Sequence, residues 1–280
     1  MAEGLELYTV DAFTSRPFSG NPAAVCLLTQ SEMSSEMKQL IAAEMNLSET
    51  AFVRPVVGEP GVFHLQWFTP TCEVPLCGHA TLATAAVLFQ RSSCQHLSFR
   101  TLSGTLTADK DADFIEMRFP LADCVQEAEW NDVAEVVRLA AGRLPVLHVG
   151  YSSSTRKLLI RLTDAVSRLD LECLSPDTAR MLQAHQGRVR GVIVTVRAQT
   201  DDYDFFSRYF APWNGIPEDP VTGSAHTVLA RYWEEELGKT EMTARQCSHR
   251  GGDVRMRVVG EDTVVLAGHA CIVTKGQIFI

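Results

Sequence analysis

Apolar and polar positions alternate with a period of two through much of the chain, a pattern that predicts strands. Leu5 to Val10 opens the series, with Leu5 and Leu7 on one face and Glu6 and Tyr8 on the other. Ala23–Leu28 is a short apolar run reached through Ser19-Gly20-Asn21-Pro22, a turn by composition. Met37, Leu40, Ile41 and Met45 recur instead at helical spacing, which predicts a helix over Ser34–Met45. Strands are predicted at Ser48–Val53, Val62–Phe68, Leu97–Ala108 and Phe114–Phe119, with Ser103-Gly104 as a hairpin turn. A more apolar helix is expected after Gly78.

The second half repeats this order. Val146–Gly150, Lys157–Leu162, Val189–Val196 and Asp204–Phe210 have strand character. Pro176–Ala184 reads as a surface helix and Ser224–Leu237 as a longer one. Strands are expected again at Val254–Val259, Thr263–Val265 and Ala270–Thr274. No low-complexity linker separates the halves, and the polar stretch Pro120–Trp130 is the expected crossover.

A sequence repeat supports the division. Trp67-Phe68-Thr69-Pro70 precedes Val74-Pro75, and Tyr209-Phe210-Ala211-Pro212 precedes Ile216-Pro217, an offset of 142 between Pro70 and Pro212. Gly78-His79-Ala80-Thr81-Leu82 and Gly223-Ser224-Ala225-His226-Thr227-Val228 then open the two apolar helical stretches. An internal duplication is the reading.

Composition narrows the class. At 280 residues, one large domain or two of ordinary size are expected, and 46% hydrophobic residues suffice for a full core. A net charge of −9 without a basic cluster argues against nucleic-acid binding. The start of the chain, which includes Glu3 and Glu6, does not read as a signal peptide, and no apolar run is long enough for a membrane span. A cytoplasmic location is expected. The eight cysteines are spread without a Cys-x-x-Cys pair, which reads as free buried thiols with no zinc site.

The chemistry concentrates where each half passes from a Pro-rich loop through glycine into a helix. The first turn of a helix leaves backbone N–H groups unpaired and carries about half a positive charge. Glycine lets a ligand approach that backbone closely. Helix starts at Gly78 and Gly223 would therefore suit a carboxylate or a developing oxyanion.

Four motifs resemble the PhzF family of phenazine-biosynthesis-like proteins, its animal members above all. They are Asp11-Ala12-Phe13 with Pro17 to Val25, then Asn46-Leu47-Ser48-Glu49-Thr50-Ala51-Phe52. Cys77-Gly78-His79-Ala80-Thr81 and Glu218-Asp219-Pro220-Val221-Thr222-Gly223-Ser224-Ala225-His226 complete the set. The resemblance implies an α+β, diaminopimelate-epimerase-like fold: two pseudo-symmetric barrel-like sheets, each wrapped around a central helix, with the ligand in the cleft between halves. Residues 1–119, joined by about 266–280, would form the N-terminal half, and 120–265 the C-terminal half.

The resemblance also implies roles. Glu49 would be the acid/base that removes and returns a proton, with His79 and Asp219 as further catalytic residues. Gly78, Gly223 and Ser224 would bind substrate, Ser224 also serving as a helix cap. Glu49 lies in an apolar and hydroxyl stretch, and a desolvated carboxylate is a stronger base. Related epimerases use two cysteines. Cys77 resembles one of those positions, but Asp219-Pro220-Val221-Thr222 offers no second thiol, which favours a single-carboxylate shuttle. Gln246-Cys247-Ser248-His249-Arg250-Gly251-Gly252 departs from the family's Gln-Gly-x-x-x-Gly-Arg stretch, with Gly252 in place of the arginine. The substrate's identity is therefore left open.

The expected function is a cofactor-independent, metal-free isomerase acting on a small carboxylate-bearing molecule. A homodimer is the expected assembly, with neither nucleic acid nor membrane as partner. The competing reading is an interaction or regulatory protein that keeps the fold without its activity.

Overall fold

The computed structural model describes residues 4–29, 32–126, 131–199 and 202–280. Its internal packing divides the chain into two units, Met1–Arg118 with Ala267–Ile280, and Phe119–Leu266. The first unit contains β1 (Gly4–Ala12), β2 (Asn21–Leu27), α1 (Ser35–Met45), β3 (Glu49–Pro55) and β4 (Val62–Phe68). It continues with β5 (Glu73–Val74), α2 (Gly78–Arg91), β6 (His96–Thr101), β7 (Gly104–Asp111) and β8 (Phe114–Pro120). The second unit contains β9 (Val125–Gln126), α3 (Ala134–Ala141), β10 (Val146–Ser152), β11 (Lys157–Leu162), α4 (Arg168–Cys173), α5 (Thr178–Ala184) and β12 (Gly191–Arg197). Then come β13 (Phe205–Phe210), α6 (Gly223–Leu237), β14 (Glu241–Gln246), β15 (Gly252–Val259) and β16 (Thr263–Gly268). The last strand, β17 (Ala270–Phe279), returns to the first unit.

In the first unit β17 pairs with β1 and β1 with β2, both antiparallel. β2 and β3 are parallel, β3 and β4 antiparallel, β4 and β6 parallel, and β6, β7 and β8 antiparallel in turn. Parallel neighbours need a crossover. Here α1 supplies the first and α2 the second. From β10 to β15 the second unit repeats the same sequence of antiparallel and parallel steps, with α4 and α5 in one crossover and α6 in the other. The duplication expected from the Pro-rich repeats is thus written in the hydrogen-bond ladder. The strand pairing within each unit is mixed and the fold is α+β. Among the described residues no pairing joins β8 to β17, so the barrel-like sheet of the first unit stays open.

The two Gly-opened helices are the central ones. Ten of the fourteen residues of α2 are buried, which a helix with one apolar face cannot achieve. Ala80, Ala83 and Ala85 let β1, β2, β3 and β17 approach closely. In α6, Trp233 is fully buried, stacks on Phe205 at 5.1 Å, and donates from Nε1 to Thr195 Oγ1 at 3.0 Å.

Several local expectations are corrected. The turn before β2 ends earlier than composition suggests: Asn21 and Pro22 already pair with Ala12 and Asp11. Gly20 forms the tight point, at a φ of +64° with the Ala12 carbonyl 2.1 Å from where a Cβ would stand. The stretch Pro120–Trp130 is not featureless, because Val125 and Gln126 pair with Tyr151 and Gly150; its residues 127–130 lie outside the described residues, as does Glu3. α4 escapes the periodicity reading although Ser167 and Asp170 form a capping box before it. Not all thiols are buried: all eight cysteines are free, but Cys72 and Cys173 are exposed. Among the described residues no helix is long and apolar enough to cross a membrane.

Candidate active site

The first unit places Glu49 by ending a helix sharply. Asn46 adopts a left-handed φ of 49° and caps α1, its N–H bonded to the Ala42 carbonyl at 3.1 Å. Three residues later Glu49 opens β3, paired with Ala23 of β2. His79 arrives from the other side, in the first turn of α2. Cys77 is the extended residue before that helix, at φ −145°.

These residues meet around the His79 ring. Its Nε2 lies 3.3 Å from Glu49 Oε2 and 3.3 Å from Ser48 Oγ. Its Nδ1 lies 3.4 Å from Cys77 Sγ. The His79 side chain is 6% exposed and that of Glu49 12%, so the pair is largely withdrawn from water. Glu49 Oε2, although close to the ring, completes no well-aligned hydrogen bond among the described residues. Burial raises the Glu49 pKa above the ordinary carboxylate value, and hydrogen bonds from Ser48 and Cys77 oppose the rise.

The same shift predicts a stability effect. Between the unfolded carboxylate pKa, about 4.3, and its raised folded value, the native state binds more protons than the unfolded state. Stability therefore falls as pH rises through that window. Glu49→Gln should remove this component, leaving a variant whose thermal midpoint at neutral pH is at or above that of the parent. Thermal scans from pH 4 to 8 check this; a variant losing stability at neutral pH relative to pH 4 as steeply as the parent would contradict the assignment.

Glu49, Cys77 and His79 also offer donor atoms within 4.8 Å of one another, the one such group among the described residues. The histidine directs different nitrogens at its two partners, however. One ring nitrogen faces the thiol and the other the carboxylate, which is the arrangement of a proton relay. A chelate needs a single nitrogen aimed, with the other donors, at one central point.

The second unit builds a different cluster. The Asp219 N–H bonds the Tyr209 carbonyl at 3.1 Å, and its Oδ2 accepts from Thr222 Oγ1 at 2.5 Å. Gln246 clasps the loop from both sides: Nε2 donates to the Asp219 carbonyl at 2.6 Å, and Oε1 accepts from Thr222 N at 2.9 Å. Ser248 Oγ adds a bond to the Pro220 carbonyl at 2.8 Å. Lys157, buried nearby, has its pKa pushed down to about 8 by burial, against the attraction of Asp219. Ser224 is not the helix cap: α6 starts at Gly223, Thr222 is the residue before it, and the Thr222 hydroxyl is given to Asp219. In neither α2 nor α6 does the residue before the helix cap the first turn with its side chain.

The structure therefore brings Glu49, Gly78 and His79 together in one unit, and Asp219, Gly223 and Ser224 together in the other. Sequence reasoning passed over Ser48 and Gln246. Ser48 was readable as a hydroxyl beside the acid; Gln246 only becomes meaningful once β14 is placed beside the Asp219 loop.

The profile of the phenazine biosynthesis-like proteins matches residues 10–276. The human phenazine biosynthesis-like domain-containing protein is 46% identical, over 98% of this chain and 99% of its own. An uncharacterized isomerase of Pseudomonas aeruginosa is 44% identical over 98% of both chains. Among solved structures, a PhzF-family protein of Enterococcus faecalis superposes with a TM-score of 0.88 at 36% identity, covering 99% of this chain and all of that one. A hydroxyproline epimerase of Agrobacterium vitis, with a TM-score of 0.60 at 11% identity over all of this chain and 94% of that one, shares the fold alone.

Proposed function

The chain belongs to the phenazine biosynthesis-like, or PhzF, family, and from that membership we propose an isomerase that moves a proton between two carbons of a small carboxylate-bearing substrate. Glu49 is the acid/base. Its carboxylate takes the proton from the first carbon while the C–H electron pair passes into the substrate's conjugated system. The Glu49 carboxyl, whose O–H exchanges with solvent between the two steps, then delivers a proton to a second carbon, regenerating the carboxylate. No external oxidant or reductant enters the balance. The observation that carries the reading is the buried Glu49 carboxyl, raised in pKa, with an oxygen 3.3 Å from His79 Nε2.

The surrounding groups have parts that follow from their positions. His79 orients the carboxylate and, with Ser48, steadies whichever protonation state it holds. A helix start such as that of α2, beside Glu49, suits the substrate's carboxylate or developing oxyanion, and the start of α6 in the second unit has the same character. Asp219, held by Thr222 and Gln246, and Ser224 orient the substrate through hydrogen bonds.

The test is solvent exchange. Small carboxylic acids from cell extracts are incubated with the protein in deuterated water and weighed by mass spectrometry. A compound that gains mass only with protein present supports the reading, and a full set of acids unlabelled against a no-protein control would sink it. Cys77→Ser separates the shuttle from a thiol base. The shuttle expects a loss of no more than about tenfold, whereas a thiol base would lose about 10²–10⁴-fold.

A further inference from the structure

A second site lies on the other face of the sheet that carries Glu49. Side chains alternate along a strand, so Phe52 and Arg54 project opposite to Glu49. Phe52 packs with Ile41, Ala42 and Phe68 beneath α1, which fixes that face. The strand register then sets a row of basic side chains across it. Arg54 on β3 is paired with His64 on β4, and His64 with Arg100 on β6. Lys38 of α1, buried, reaches the same place with its Nζ 2.6 Å from Gln66 Oε1. All four line one cavity of about 310 Å³ whose apolar wall includes Phe52 and Leu28, which pack together on this face.

The charges there are unevenly answered. Arg100 is bonded to Glu59 at 2.5 Å. The guanidinium of half-buried Arg54 makes no hydrogen bond or ion pair among the described residues, although Glu32 also lines the cavity. Lys38 donates to a neutral amide, its pKa lowered chiefly by burial; Glu32 and Glu73 oppose that shift and Arg54 adds to it. A cavity of this size, with an apolar wall and convergent cations, is the form of a small-ligand site.

We propose that this cavity binds a small organic anion, through a carboxylate or phosphate group that Arg54 and Lys38 grip and an apolar portion that rests on Phe52 and Leu28. Arg54 supplies the planar fork that suits either anion, and Lys38 a point charge. The site is separate from the Glu49 cluster and does not depend on the isomerase reading.

Two probes distinguish the anion chemistries: inorganic phosphate and citrate, each titrated into the full chain at low salt by calorimetry. Saturable binding of at least one is expected, and the stronger of the two identifies the preferred group. Arg54→Gln should weaken it about tenfold or more, as loss of a charge-assisted hydrogen bond implies. Its thermal midpoint without ligand should hold or rise, because a repulsion is relieved. Glu49→Gln should leave the binding unchanged. Absence of saturable binding for both probes overturns the proposal. So does equal binding by Arg54→Gln, or binding that Glu49→Gln abolishes.

Discussion

Glu49→Gln lowers proton exchange into the substrate by about 10²–10⁴-fold, the usual consequence of deleting a general acid/base. The amide nearly reproduces the carboxyl's shape and keeps an oxygen for Ser48 and Cys77 to bond. It cannot accept the proton from carbon. The fold and the substrate's affinity should therefore survive while exchange is lost. Mass gain in deuterated water, measured at saturating concentrations of the labelled acid, reports the rate; binding measured separately reports the pocket. A variant exchanging at the parent's rate would remove Glu49 from the chemistry, leaving the His79–Cys77 contact as the next candidate.

The second large effect is expected at the helix starts. A valine at Gly78 or Gly223 puts branched carbon over N–H groups that neither helix caps with a side chain. Each substitution should weaken binding of the exchange-labelled acid by about 2–4 kcal/mol, roughly thirty- to a thousandfold, the scale of lost charge-assisted hydrogen bonds. Neither glycine has a positive φ, so backbone strain does not confound the comparison. Gly78 is half-buried and should tolerate the change. Gly223 is buried, and its variant should lose some thermal stability through overpacking. A folded valine variant with unchanged affinity would show that its helix start takes no part in binding.

Much of the architecture was legible because the repeat and the strand alternation report the same thing. The central position of α2 could be anticipated from the apolar run after Gly78. The strands most easily read, such as β4 and β12, are rich in β-branched and aromatic residues. β14, with Glu241-Met242-Thr243-Ala244-Arg245-Gln246, carries no such signal; it is a strand because β13 and β15 flank it. Tertiary pairing overrides propensity there. The same holds for chemistry. Glu49 and His79 stood in recognisable motifs, whereas the Arg54–His64–Arg100 row is scattered along the chain and exists only through the register of three strands. A search for runs of basic residues cannot find it.

The placement of β17 has a consequence for biosynthesis. Its pairing with β1 runs from Gly4 opposite Phe279 to Ala12 opposite Ala270. While the polypeptide is emerging from the ribosome, one edge of β1 has no neighbour until residues 270–279 have been translated. The second unit, by contrast, is one continuous segment and can condense first. This inverts the usual N-to-C order in which domains mature. An exposed strand edge is a template for pairing with other chains, so nascent copies crowded on a polysome carry that hazard for the duration of synthesis. Glu49 is translated early, yet the sheet around it is finished last.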